Sequence, residues 1–218
     1  MGLLNIISMG YTILEEAIVS TDIYECKALV RRGRVEPHVV LLHGYAFTSE
    51  VWRGIGLLNA LADEDIPFVA VDMPYGRSSK CSRKSRSLES NLAVLDKAVE
   101  MFAVHPPLLV GASLGGYVAL HYAVRRPTTG LVLIGPVKVF EEELVSRYSS
   151  MGVPVLIIYG SRDRVVSYSA VERLRNMIPF SRLIVYRGAG HPAYLDNPSR
   201  FISDLLRFHE EVRQKYTS

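Results

Sequence analysis

Cysteine is scarce in this chain: Cys26 and Cys81 are the two present in 218 residues. Two are too few for a disulfide framework, and neither stands at metal-ligand spacing. Each reads as a structural thiol; one bridge between them is possible, but the sequence does not fix it. Long hydrophobic runs are missing too. Although 49% of residues are hydrophobic, no run approaches the roughly 18 apolar residues that span a bilayer. The opening, MGLLNIISMGYTILEE, has no basic n-region, and Ile6 stands where a myristoylation motif needs Ser or Thr. The expectation is a cytoplasmic protein without membrane contact. Net charge is only +3, too mild to argue for nucleic acid. Glutamine occurs once, at Gln214, and Arg outnumbers Lys by 19 to 6, a composition that fits a thermophile. Repeats, low-complexity tracts and dividing linkers are also lacking. No His, Cys or Asp cluster has metal-ligand spacing, and no glycine pattern suits a dinucleotide or P-loop, so no metal and no cofactor are expected. The sequence does not set an oligomeric state.

What is present is alternation. HVVLLHG, PFVAVDMP, PLLVGAS, GLVLIGP, PVLIIYGS and RLIVYRGAG are short apolar runs rich in Val, Ile and Leu, as expected for strands buried on both faces of a parallel sheet. Between them lie helix-like stretches at about 51–63, 88–104, 114–125, 139–150, 168–177 and 198–213. In 88–104, Leu88, Leu92, Leu95, Val99 and Phe102 recur at three- and four-residue steps, which gives one buried stripe. Ser87 is its expected N-cap, and His105-Pro106-Pro107 ends it. YTILEEAIV and YECKALVRR read as an N-terminal antiparallel hairpin. The predicted architecture is an α/β three-layer sandwich around a mostly parallel eight-stranded sheet. It forms a single domain over 1–218, with the hairpin in 1–35 and the βα core in 36–218. Only about 18 residues separate LVLIGP from PVLIIYG, enough for one helix but not for a cap domain, so the site should be open.

Ligands of open α/β sheets bind beyond the carboxyl ends of the strands. Three reactive residues fall at such ends: Ser113, Asp163 and His191. Gly111-Ala112-Ser113-Leu114-Gly115 fits the G-x-S-x-G nucleophile elbow, in which small neighbours let a strand turn abruptly into a helix and expose Oγ. A serine hydroxyl is a weak nucleophile and needs a base beside it. His191 would take the proton, and Asp163 would hold the imidazole in the right tautomer. The backbone N–H of Leu114, at a helix N-terminus, and that of Tyr45, after VVLLHG, would form the oxyanion hole, with Ala46 a neighbouring candidate.

Each residue also has a plain structural reading. A lone G-x-S-x-G serves tight strand–helix packing, Asp163 alone could cap a helix, and His191 alone could lie on the surface. Their order and their places after three buried strands favour catalysis. Asp72 is expected to brace its turn, Asp196 to open the last helix, and His43 to support the oxyanion loop. The run RSSKCSRKSR carries Arg77, Lys80, Arg83, Lys84 and Arg86. It reads first as a solvated loop and second as an attractor for an anionic substrate or carrier; without interleaved aromatics it does not suit nucleic acid.

Two longer tracts are more specific than the elbow: VLLHGYAFTSEVWRGIGLLNALADEDIPFVAVDMPYGRSSK and GAGHPAYLDNPSRFISDLLRF. Through them the chain resembles the α/β-hydrolase superfamily over essentially its whole length, and most closely the small lidless group called abhydrolase-domain-containing fourteen. The resemblance implies a serine hydrolase of small acyl groups, with Ser113 as nucleophile and Asp163 and His191 as its partners. The chain departs from the group at YGRSS, where Arg77 replaces a small turn residue, and at GASLGG, which follows the general superfamily elbow. Mechanism therefore transfers more readily than substrate. The expected activity is cleavage of short-acyl carboxylic esters through an acyl-enzyme on Ser113. An acyltransferase, a thioesterase or an amidase or peptidase would use the same triad. A partner-binding scaffold is the non-enzymatic alternative, and a complete triad argues against it.

Overall fold

The computed structural model describes residues 14–103 and 106–217. Eight strands form one sheet: β1 (Glu15–Ser20), β2 (Glu25–Arg31), β3 (Val39–Leu42), β4 (Phe68–Val71), β5 (Leu108–Ala112), β6 (Gly130–Ile134), β7 (Val155–Gly160) and β8 (Ser181–Tyr186). Their order is β1-β2-β4-β3-β5-β6-β7-β8. β1 and β2 pair antiparallel, and β2 joins β4 antiparallel. From β4 to β8 every pairing is parallel. Residues 11–13 of the expected hairpin lie outside the described residues.

The central strands are apolar on both faces because both faces are covered. Val40, Leu42, Leu109 and Leu133 point into one core, shared with α3 (Leu88–Phe102), α4 (Leu114–Ala123), α5 (Glu142–Tyr148) and α6 (Tyr168–Met177). Val39, Leu41, Val110 and Val132 point into the other, against α1 (Glu50–Gly54), α2 (Leu57–Asp63), α7 (Ala193–Asp196) and α8 (Pro198–Thr217). Each aliphatic side chain buried this way contributes about 1.5–3 kcal/mol.

The helix expected at 51–63 is two helices, because Gly56 adopts a left-handed φ of 81° between them. Residue 104 of the expected 88–104 helix and His105 lie outside the described residues. Ser87 caps α3, its side chain accepting from the Ser90 N–H. The β6–β7 crossover carries α5 alone, so no cap domain is inserted there, and none covers the sheet among the described residues.

Cys26 and Cys81 are bonded to each other, which corrects the structural-thiol reading. Folding places the loop after β4 beside β2, where the two cysteines face each other across an antiparallel bridge. That adjacency depends on strand order, which spacing alone does not reveal.

Candidate active site

Ser113 follows β5, Asp163 follows β7 and His191 follows β8, so all three stand at the carboxyl edge of the sheet. Ser113 takes φ 53° and ψ −112°, a backbone strain that non-glycine residues rarely accept. The surrounding glycines make the turn sterically possible. A Cβ on Gly111 would run into the backbone of Gly115 and Gly116, and one on Gly115 into the carbonyls of Leu42 and His43. The Ser113 N–H donates to the Ile134 carbonyl at 2.9 Å, tying the elbow to the end of β6.

The Asp163 side chain is fully buried and uses both oxygens. Oδ1 accepts from the backbone N–H groups of Val165 and Val166 at 2.7 and 2.9 Å. Oδ2 stands 2.8 Å from His191 Nδ1. That contact assigns the ring proton to Nδ1 and leaves Nε2 free to accept. Ser113 Oγ makes no hydrogen bond among the described residues; Gly135 links it to the pair. Gly135 follows the carbonyl that holds Ser113, and a Cβ there would stand 3.1 Å from the His191 ring and 3.2 Å from Asp163 Oδ2. A bare backbone at 135 thus lets the histidine approach the elbow, a requirement that GLVLIGP did not signal on its own.

The N–H groups of Tyr45 and Leu114 donate to no protein acceptor among the described residues, as an anion-binding pair requires. The loop that presents Tyr45 is held from behind. His43 is fully buried; its Nδ1 lies 2.8 Å from the Gly44 carbonyl, and its Nε2 accepts from the Met73 N–H at 3.0 Å. Burial pushes this imidazole below its ordinary range, so it stays neutral and serves as a brace. Asp72 accepts from the Ser49 N–H at 2.6 Å and from the Lys80 N–H, joining α1 to the basic loop. Asp196 does not open the last helix. It ends α7, and its carboxylate accepts from the Gly190 N–H at 2.7 Å, fixing the turn that presents His191.

The two specific tracts meet in space. Trp52 and Tyr194 have ring centroids 4.9 Å apart, and Trp52 and Phe201 6.1 Å. The signature FTSEVW…GHPAYLDNPSRF therefore includes an aromatic contact beneath the His191 turn.

Beside Tyr45 and Leu114 opens a cavity of about 290 Å³, walled mainly by Tyr75, Leu88, Tyr117 and Val118, with Arg86 and Lys138 also lining it. Tyr117, which burial and the neighbouring Glu141 push up to about 12, stays a phenol and donates to Glu141 at 3.0 Å. Sequence reasoning did not single out Lys138, although its place just after β6, at the carboxyl edge, was a usable signal. Among the described residues no group of three His, Cys, Asp or Glu side chains is arranged to hold a metal, and no helix is long and apolar enough to cross a membrane.

The family described as "alpha/beta hydrolase fold" matches residues 37–150, and one described as "TAP-like protein" matches residues 136–207. Human "Putative protein-lysine deacylase ABHD14B" is 33% identical over 189 residues, 84% of this chain and 87% of that one. Human "Protein ABHD14A" is 33% identical over 190 residues, 86% of this chain and 69% of its own length. Among solved structures, a predicted CIB-like hydrolase from Thermoplasma acidophilum superposes with a TM-score of 0.80 at 23% identity, covering 93% of this chain and 99% of that one. Carboxylesterase CesB from Bacillus subtilis superposes at 0.77 with 18% identity, covering 90% and 91%; likeness at these identities speaks for the fold alone. A family match across more than half the chain and relatives 33% identical over more than four-fifths of it lead to one assignment: the chain belongs to the alpha/beta hydrolase family.

Proposed function

We propose that the protein is a serine hydrolase that cleaves short-acyl carboxylic esters through an acyl-enzyme on Ser113. The observation that carries this reading is the pairing of buried Asp163 with half-buried His191 at 2.8 Å, packed against the Gly135 turn that also anchors the strained Ser113 elbow. In the reaction Ser113 Oγ attacks the acyl carbonyl carbon and its proton passes to His191 Nε2. The imidazolium is stabilised by Asp163, and the oxyanion is held by the N–H groups of Tyr45 and Leu114. Collapse breaks the bond to the leaving alcohol, which takes the proton from His191. Water, deprotonated by the same nitrogen, then releases the acid and restores the serine. The cavity beside Leu114, about 290 Å³, provides room for a short acyl chain, and no bound cofactor enters the scheme.

The uncapped edge favours a second reading, removal of acyl groups from amines on large molecules. Only α5 lies between β6 and β7, so a leaving group as large as a protein side chain meets no lid. The name of the human ABHD14B relative points the same way. A cytoplasmic setting belongs to the proposal as well. The disulfide is compatible with that setting in a thermophile, where intracellular bridges occur, and the chain's few amides and many charges agree.

A fluorophosphonate probe tests the nucleophile: wild type is expected to label and Ser113→Ala not to. Equal labelling of the two proteins refutes the assignment. Faster cleavage of acetyl-lysine peptides than of acetate and butyrate esters would select the second reading.

A further inference from the structure

The basic run, which the sequence reads first as a solvated loop and second as an attractor for an anionic substrate, is not uniform once folded. Lys84 turns inward and donates to the Ser79 carbonyl and, at 3.0 Å, to Ser79 Oγ. Arg86 reaches the cavity beside Leu114. Its backbone is held on both sides: buried Asn91 donates to the carbonyl of Ser85 at 3.1 Å and to that of Ser87 at 2.7 Å. The same Asn91 accepts from the N–H of Tyr75, on the cavity wall, at 3.0 Å. The disulfide to Cys26 tethers the loop further upstream. Arg86 therefore projects from a fixed support.

Lys138 reaches the same cavity from the loop after β6. It holds a left-handed φ of 55°, a conformation that a residue with a Cβ rarely adopts. Both cations lie against aromatic walls, Arg86 over Tyr45 at 5.8 Å and Lys138 over Tyr117 at 5.3 Å. Neither forms a salt bridge among the described residues, and no acidic side chain lines the cavity. Glu141, the carboxylate bonded to this wall, is engaged by Tyr117 and by His121 at 3.1 Å. The result is an apolar chamber beside the proposed oxyanion hole, bordered by two cations without a counter-ion.

We propose that this cavity takes a short acyl chain ending in a carboxylate, a half-ester or half-amide of a dicarboxylic acid, with Arg86 and Lys138 as the specificity-determining residues. The proposal rests on the serine-hydrolase reading and names its substrate class. The apolar walls accept the methylenes, and the two exposed cations bind the distal carboxylate at the rim of the cavity through charge-assisted hydrogen bonds. A phosphate or carboxylate on the leaving group would offer similar chemistry from the other side of the scissile bond, so the test separates the two sources.

Methylumbelliferyl hemisuccinate and hemiglutarate are compared with their methyl-capped counterparts, and with neutral acyl esters that carry a sulfonated leaving group. Wild type is expected to favour the hemiesters over the capped esters at least tenfold in kcat/KM, mostly through KM, with the preference shrinking as salt rises. In Arg86→Gln and Lys138→Gln the ratio of anionic to capped substrate should fall several-fold, and in the double variant it should approach one. No preference in wild type, a preference retained by the double variant, or a preference only for the anionic leaving group overturns the proposal. Binding of glutarate against valerate to Ser113→Ala, followed by NMR titration, gives a reading that does not depend on turnover. Tighter glutarate binding that Arg86→Gln weakens supports the anion site, and equal binding refutes it. If no ester is cleaved and the probe does not label Ser113, the hydrolase reading fails, while the binding titration still decides the anion site.

Discussion

Asp163 shows how much one side chain is asked to do at the candidate site. Its carboxylate is buried, receives two backbone N–H bonds and faces His191 Nδ1. Replacing Oδ2 with an amide nitrogen leaves no acceptor for the Nδ1 proton, so the imidazole turns to the other tautomer and Nε2 loses its lone pair. Asp163→Asn is therefore expected to keep the fold and lower kcat about 10³- to 10⁴-fold on a short ester. Fluorophosphonate labelling should slow in parallel. Asp163→Ala also frees the N–H groups of Val165 and Val166, so it should add a measurable loss of thermal stability. An Asn variant within tenfold of wild type would remove Asp163 from the mechanism. Ser113, Asp163 and His191 could be singled out in the sequence because each follows a strand whose apolar run is unmistakable. Arg86 stood in the sequence among the candidate anion attractors and Lys138 just after a strand, but their pairing was not legible, because the chamber between them exists only after two loops distant in sequence close on α4.

Among the elements, the parallel strands were the most legible, since burial on both faces writes an unbroken apolar run such as VVLL or VLIIYG. The break between α1 and α2 was hidden because Gly56 interrupts a pattern whose hydrophobic spacing continues through it. Residues 77–87 were the least legible, because that loop is organised by partners elsewhere: Cys26 on β2, Asp72 after β4 and Asn91 on α3. The disulfide spans 55 residues of sequence, and loop closure of that size stabilises a fold by about 4 kcal/mol, according to the chain-entropy account. The double variant Cys26→Ser/Cys81→Ser should lose about that much in urea unfolding. Reductant should lower the melting temperature of wild type but leave that of the variant unchanged. Trypsin should then cut the reduced protein faster within 77–86, where Arg83 and Arg86 are exposed. A melting temperature indifferent to reductant would show that the backbone contacts hold the loop without the bridge.

On the scale of the whole molecule, both cores and the edge between them contain a buried imidazole. His43 lies behind the loop that presents Tyr45, His121 within α4, and His209 on α8, where Nε2 lies 2.8 Å from the Pro37 carbonyl. Burial pushes all three below the ordinary histidine range, outweighing Glu141 and Glu143 beside His121 and Glu210 and Glu36 near His209. In the unfolded chain they take up protons near pH 6.5, whereas in the folded one they do so only at lower pH. Below about 6.5 the unfolded state therefore binds more protons, so stability is complete above that pH and is lost as pH falls toward the folded-state values. The slope approaches about 1.4 kcal/mol per pH unit for each histidine fully charged in one state and neutral in the other. Urea unfolding at pH 7.5, 6.5 and 5.5 should show a loss of no more than about 1 kcal/mol over the first step and of about 1–3 kcal/mol over the second. Carboxylates with ordinary values stay ionised throughout that range. His209→Gln, whose side-chain amide can still donate to Pro37 but cannot take a charge, should flatten the second step by about one proton's worth. An unchanged slope in His209→Gln would mean that His209 takes up its proton equally in both states, and its burial on α8 would then carry no pH dependence.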